Sequence, residues 1–280
     1  MKYLKLVIHI ADKYQEPFIA ELFDIGFDGF EQRDDQVITY ILKKDFGISD
    51  RERIDTLLAA YPGDGFIESE EVVADQNWNQ QWEETIKAQT VGRFFIKPTW
   101  SEETIPKDKI LLEIDPKMSF GTGYHETTRL ILELLPNVIA ENDFVIDAGT
   151  GTGILSIAAI KLGARKAFAF DIDEWSISNT RENILLNGVD QYIEVKKGSS
   201  EVLSEQRKAD VVLANIERNT ILDIFSDLDA ILKKGGVLVL SGLLEKDKSS
   251  VLPVLEDTYQ VLAIPQQNEW IAIQAEKTIA

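Results

Sequence analysis

Between residues 147 and 153 the chain reads DAGTGTG, and a second aspartate, Asp171, closes the next apolar run. Glycines at 149, 151 and 153 follow a buried-strand pattern (FVIDAG) and precede a helical one (ILSIAAIKLG). A backbone without Cβ atoms there lets a ligand approach main-chain N–H groups and the positive end of a helix. The spacing argues against a pyrophosphate. A dinucleotide fingerprint wants its third glycine where Ile154 stands, and no Lys-Ser or Lys-Thr follows to clasp phosphate. Asp171 favours a nucleoside with free ribose hydroxyls, since its carboxylate can accept hydrogen bonds from both and no arginine waits for a 2′-phosphate. Asp147 suits a cationic ammonium or caps the loop. Asp173 reads as the N-cap of the helix DEWSISNTRENILLNG.

These groups need strands that deliver them to one edge. FVIDAG, ARKAFAFDID, YIEVKKG, ADVVLAN and GVLVLSGL alternate with helical stretches, as a doubly wound parallel sheet requires. The tail YQVLAIPQQNEWIAIQAEK reads as two extended runs around a polar turn, an antiparallel hairpin, where a dinucleotide-binding fold continues with parallel units. The expected fold class is therefore α/β, with five parallel strands and a terminal hairpin over residues 101–280. Residues 1–75 have a separate rhythm: a strand from 3 to 10, a helix from Pro17 to Ile25, and two strands around Asp34 and Asp35. A helix capped at Ser49 and the strand FIESEEVV complete the order βαββαβ of a ferredoxin-like α+β sandwich. Residues 76–100 read as a connector, with Trp78 and Trp82 on one helical face and a short strand, RFFIKPTW, stopped by Pro98.

Composition narrows the chemistry. With no cysteine and only His9 and His125 among 280 residues, thiolate nucleophiles, disulfides and histidine-held metals drop out, and no metal site is expected, carboxylate-bound magnesium being the alternative left open. A formal charge of −19 repels phosphate backbones and attracts cationic partners, so direct nucleic-acid binding is not expected. No apolar run approaches the roughly 20 residues that span a bilayer, and the start MKYLKLVIHI lacks signal-peptide anatomy, which points to a cytoplasmic protein without membrane attachment.

D-x-G-x-G-x-G with an acidic residue closing the next strand resembles the S-adenosylmethionine site of class I methyltransferases, and the terminal hairpin resembles that fold's ending. DPKMSFGTGYHETTRLILELL (115–135) and ADVVLANIERNTI (209–221) narrow the resemblance to the methyltransferases of large-subunit ribosomal protein L11, over the entire chain. The resemblance implies S-adenosylmethionine as cofactor, held by Thr128, Gly149, Gly151, Gly153, Asp147, Asp171 and Asn215. It implies a loop over the donor formed by Phe120, Gly121, Thr122, Gly123 and His125. Thr128 would meet the methionine part, although either it or Thr127 could instead cap TTRLILELL. Family members commonly carry Thr and Pro where Tyr124 and Glu126 stand here.

Asn215 is the implied catalytic group, its amide oxygen orienting an incoming amine; a turn-closing asparagine is the plain alternative. Glu217 either draws in a cationic amine or is merely solvated. The implied activity is N-methylation of lysine side chains and the N-terminal α-amine of the basic ribosomal protein L11, by a monomer. Alternatives are another basic protein or small amine as acceptor, and a catalytically idle ribosome-binding module; a nicotinamide oxidoreductase is the weakest competitor.

Overall fold

The period-two alternation of KYLKLVIH builds β1 (Lys2–His9) and turns Leu4, Leu6 and Ile8 to one buried face. The computed structural model to which this strand belongs describes residues 2–63, 65–74, 86–117 and 119–279, in two units, 1–78 and 79–280. Trp78 and Trp82 lie outside the described residues.

In the first unit α1 (Gln15–Ile25) and α2 (Ile48–Ala60) cover the apolar face of β1 with Phe18, Leu22, Ile54 and Leu58. With β2 (Asp28–Arg33), β3 (Gln36–Leu42) and β4 (Phe66–Ala74), an antiparallel sheet of order β2-β3-β1-β4 results. This is the arrangement expected of βαββαβ. One boundary differs. Ser49 lies inside α2, and Gly47 holds the cap position, its N–H donated to Asp50 at 2.8 Å. The Asp50 side chain reaches back from the first turn to the N-cap N–H, the half of a capping box that glycine, with no side chain, leaves to its partner.

The second unit begins with a small sheet of β5 (Gln89–Val91), β6 (Phe94–Lys97) and β7 (Ile110–Glu113). Val91, Phe94, Ile96 and Leu112 pack with Ile131, Leu132 and Leu135 of α3 (Glu126–Val138), so residues 89–97, expected as connector, contribute to this unit's core. Strands and helices then alternate: β8 (Phe144–Ala148), α4 (Ile154–Leu162), β9 (Lys166–Asp171), α5 (Glu174–Leu186), β10 (Ile193–Lys197), β11 (Ala209–Asn215), α6 (Arg218–Ile231), β12 (Leu232–Leu244) and α7 (Lys248–Leu255). The chain closes with β13 (Tyr259–Ala263), β14 (Gln266–Gln267) and β15 (Trp270–Lys277).

The main sheet runs β10-β9-β8-β11-β12-β15-β13, parallel through β12 and antiparallel beyond it. Successive residues of each strand serve opposite layers: Val145, Ala169 and Leu213 face α3, α4 and α5, while Ile146, Phe168 and Val212 face α6 and α7. Both faces of the central strands are covered, so β8, β9 and β11 are largely apolar, whereas the edge strand β10 carries Glu194, Lys196 and Lys197. No described helix is long and apolar enough to cross a membrane.

Strand order reverses between β8 and β11, neighbours in the sheet that are distant in sequence. Ligands of open α/β sheets bind beyond the carboxyl ends of the strands at such a point, because loops there diverge and leave a crevice.

Candidate active site

A cavity of about 540 Å³ opens at that switch point. Gly149 and Gly151 follow β8, Phe170 and Asp171 close β9, and Asn215 to Glu217 end β11; Phe120, His125 and Trp270 face them across the space. The glycines are conformational requirements. Gly149 and Gly151 have φ of 71° and 56°, and a Cβ would lie 2.2 Å from Ile216 Cγ2 at the first and 2.3 Å from the Phe120 carbonyl oxygen at the second.

Their amides, however, are not free donors. Gly149 N and Thr150 N donate to the Phe170 carbonyl, Gly151 N to Asp171 Oδ2 at 3.0 Å, Thr152 N to the Phe120 carbonyl and Gly153 N to the Thr150 carbonyl. This corrects the expectation that a ligand meets bare N–H groups in the loop. The glycines let Ile216 and the Phe120 carbonyl pack closely against the loop, and a loop whose amides are satisfied suits a ligand that carries no phosphate there.

Asp171 accepts from Gly151 N on one oxygen and from Asp173 N at 3.0 Å on the other, which leaves acceptor capacity on both toward the cavity. Asp173 caps α5 as expected, accepting from Ser176 N at 2.8 Å, and that hydrogen bond holds its carboxyl below the usual range. Asp147 is fully buried. Its Oδ2 accepts from Thr150 Oγ1 (2.8 Å), Ser156 Oγ (2.7 Å) and Ser156 N (3.2 Å), joining the glycine loop to the first turn of α4, while Oδ1 has no protein partner. Of its two open readings, the loop-holding one accounts for every bond it makes, and the carboxylate is not part of the cavity wall. Burial raises its pKa, against the lowering effect of the Ser156 and Thr150 bonds.

The FGTG segment lies on the glycine loop. Thr152 Oγ1 donates to the Gly121 carbonyl at 2.6 Å, and Phe120 leaves half of its side chain open to the cavity. Gly123 faces away from the cavity, where a Cβ would sit 2.6 Å from Ile96 Cδ1, and Thr122 accepts the Tyr124 N–H within the loop. Neither Thr127 nor Thr128 caps α3. His125 does, its Nδ1 accepting from Thr127 N at 3.4 Å and paired with Thr127 Oγ1 at 2.9 Å, and its ring is packed at steep angles between Phe120 and Trp270 at centroid distances of 5.2 and 4.8 Å. Tyr124 donates its hydroxyl to the Lys87 carbonyl, and Glu126 accepts from Asn268 at 3.1 Å, so both positions that depart from the family pattern tether this loop to other segments.

Thr128 is fully buried behind Asn215, which donates Nδ2 to its hydroxyl at 3.2 Å. Asn215 lines the cavity, and its buried Oδ1 has no hydrogen-bond partner among the described residues. Glu217, exposed at the rim, accepts from Thr220 Oγ1 at 3.2 Å. Trp270, Ile216 and Gly242 also line the cavity and are absent from the sequence-derived set. Trp270 starts β15, and Gly242 sits at an irregularity in the β12–β15 register with φ 80°, where a Cβ would lie 2.3 Å from the Ile216 carbonyl oxygen. Only an otherwise unexplained glycine inside an apolar strand pattern could have signalled the latter.

A glycine loop packed too closely against Ile216 and Phe120 for any Cβ, an acidic strand end and a parallel sheet closed by an antiparallel hairpin are the features of a class I methyltransferase, whose donor is S-adenosylmethionine. Comparison with known proteins specifies the family. Residues 56–278 match the model described as ribosomal protein L11 methyltransferase (PrmA). The chain belongs to that family.

Among similar proteins bearing the name ribosomal protein L11 methyltransferase, that of Porphyromonas gingivalis is 37% identical, with 91% of this chain and 88% of the relative aligned. That of Caldicellulosiruptor saccharolyticus is 31% identical over 99% of this chain and all of the relative. The match to the protein of Thermoanaerobacter pseudethanolicus is 39% identical and spans 66% of that relative's length. The crystal structure of ribosomal protein L11 methylase from Lactobacillus delbrueckii aligns over 69% of this chain and all of its own, at 30% identity and a TM-score of 0.64.

Proposed function

We propose that the protein transfers methyl groups from S-adenosylmethionine to lysine side-chain amines and the N-terminal α-amine of ribosomal protein L11. The observation that carries this reading is the convergence of the glycine loop, Asp171 and the unpartnered Asn215 Oδ1 on one cavity. When bound, the cofactor supplies an electrophilic methyl group on a sulfonium. The protein's task is then to align a neutral amine with it.

Asp171 would hold the ribose hydroxyls with its remaining acceptor capacity, and the glycine loop would let the donor lie close against the main chain. Asn215 Oδ1 is free to accept a hydrogen bond from the incoming amine, while the bond from its Nδ2 to Thr128 fixes the side chain. A free lysine has a pKa of about 10.4, so it must shed a proton before it can attack. The apolar wall of Phe120, Ile216, Ile224 and Trp270 disfavours the ammonium by desolvation, and the exposed rim gives the proton a path to water. Glu217 at that rim would attract the charged amine before it is desolvated.

Intact-mass spectrometry of unmodified L11 incubated with the protein and S-adenosylmethionine tests this. Mass gains in steps of one methyl group, absent with Asp171→Ala, are the expected result. No gain from a protein that still binds S-adenosylmethionine would reject L11 as acceptor and direct the search to other basic proteins or small amines.

A further inference from the structure

Asparagines recur at 179 and 183 in α5 and at 187, its C-cap, one per turn on a single face. Asn179 and Asn183 are buried, and a buried amide is costly unless it is hydrogen-bonded. On this face the partners are backbone groups of the segment that leads to the FGTG loop. Asn187 accepts from Glu113 N at 3.1 Å and donates to its carbonyl at 2.7 Å. Asn183 treats Asp115 in the same way, at 3.0 and 3.3 Å. Asn179 adds a bond to the Asp115 carbonyl at 2.8 Å. The helix thus offers residues 113 and 115 the pairing that a neighbouring strand would offer.

Asn183 goes one step further, because its Nδ2 also donates to the Thr152 carbonyl, at 2.9 Å. Thr152 belongs to the glycine loop, and its own N–H and hydroxyl hold the Phe120 and Gly121 carbonyls at 2.9 and 2.6 Å. One amide therefore grips the loop beneath the donor and the segment that feeds the loop above it. Thr180, one helical residue from this stripe, secures the Gly151 carbonyl at 2.7 Å. Asn187 has no bond to either loop among those described.

We propose that Asn183 is a positioning residue for methyl transfer, which sets the register of the FGTG loop over the glycine loop and so determines how firmly the donor is held. The proposal rests on the reading of the cavity as the donor site. Removal of the amide should loosen both walls of that site and leave the acceptor side, built by Asn215 and Trp270, in place.

The experiment titrates S-adenosylhomocysteine calorimetrically into wild type, Asn183→Asp and Asn187→Ala, and measures the melting temperature, kcat and both KM values of each. Asn183→Asp keeps the size of the side chain but loses both donors and turns an anion toward two carbonyls. It should raise the Kd about tenfold and lower kcat, with the acceptor KM within about twofold of wild type. Asn187→Ala strips the two bonds to Glu113 from the same ladder, together with those to Lys161 and the Asn183 carbonyl, so it should lower the melting temperature while leaving the Kd within about twofold. Should the aspartate variant fail to fold, Asn183→Ser, which keeps one donor, takes its place. An unchanged Kd in the Asn183 variants, or an equal change in Asn187→Ala, would overturn the proposal and leave the ladder a purely structural role. A wild type that does not bind S-adenosylhomocysteine would overturn the donor-site reading itself.

Discussion

Asp147 shows how one residue can hold a site together without facing its ligand. Its carboxylate joins Thr150 to Ser156 from full burial, and that burial raises its pKa above the ordinary 3.8. An acid whose pKa is higher folded than unfolded binds its proton more tightly in the folded state. Its contribution to stability is therefore fullest below pH 3.8 and is lost as the pH rises through the folded value. Asp147→Asn carries no charge to bury. Relative to wild type, the variant should gain stability in urea denaturation as the pH rises above the ordinary aspartate value of 3.8. A difference that stays flat with pH would mean that the aspartate is neutral, or equally well solvated, in both states. Asn215 makes the complementary point. Its place at the end of ADVVLAN was legible in the sequence, but which of its atoms is free depended on Thr128, 87 residues away.

At the scale of elements, two loops are fitted to each other through a glycine. Gly151 has φ 56° and no space for a Cβ, which would meet the Phe120 carbonyl at 2.3 Å. Gly151→Ala must both strain the backbone and push the FGTG loop off the glycine loop. A loss of about 2 kcal/mol or more in chemical denaturation is expected, together with a clear loss of donor affinity. Retained affinity would show that the two loops separate without consequence. Strand and helix assignments in this unit followed from period and from the Asp173 cap, signals carried within ten or so residues. The α3 cap did not follow: Thr127 and Thr128 fit the usual preference, yet His125 takes the position because its ring is also held between Phe120 and Trp270.

At the scale of the whole molecule, the formal charge of −19 would set the terms on which the proposed basic acceptor arrives. Long-range attraction of this kind acts on association and is screened within about 10 Å at 0.1 M salt, whereas the closest contacts in a partly enclosed cavity are screened less. With L11 as acceptor, kcat/KM should therefore fall about tenfold between low and high salt, while the Kd for S-adenosylhomocysteine changes little. Parallel stopped-flow and calorimetric titrations across a salt series would check this. Equal sensitivity of both quantities would place the effect in the donor site.

Sequence by itself determined the order of elements, the glycine loop with Asp171 at the end of the next strand, and the hairpin that ends the sheet. Each of these is written in local periodicity, in residues with special backbone freedom, or in a motif of fixed spacing. Only the tertiary structure decided that the loop amides are internally satisfied, that Trp270 and Gly242 complete the cavity, and that Asn183 bonds both the glycine loop and the segment leading to the FGTG loop. Those features depend on which buried polar groups meet across long separations in the chain, and a satisfied amide looks the same in sequence as a solvated one.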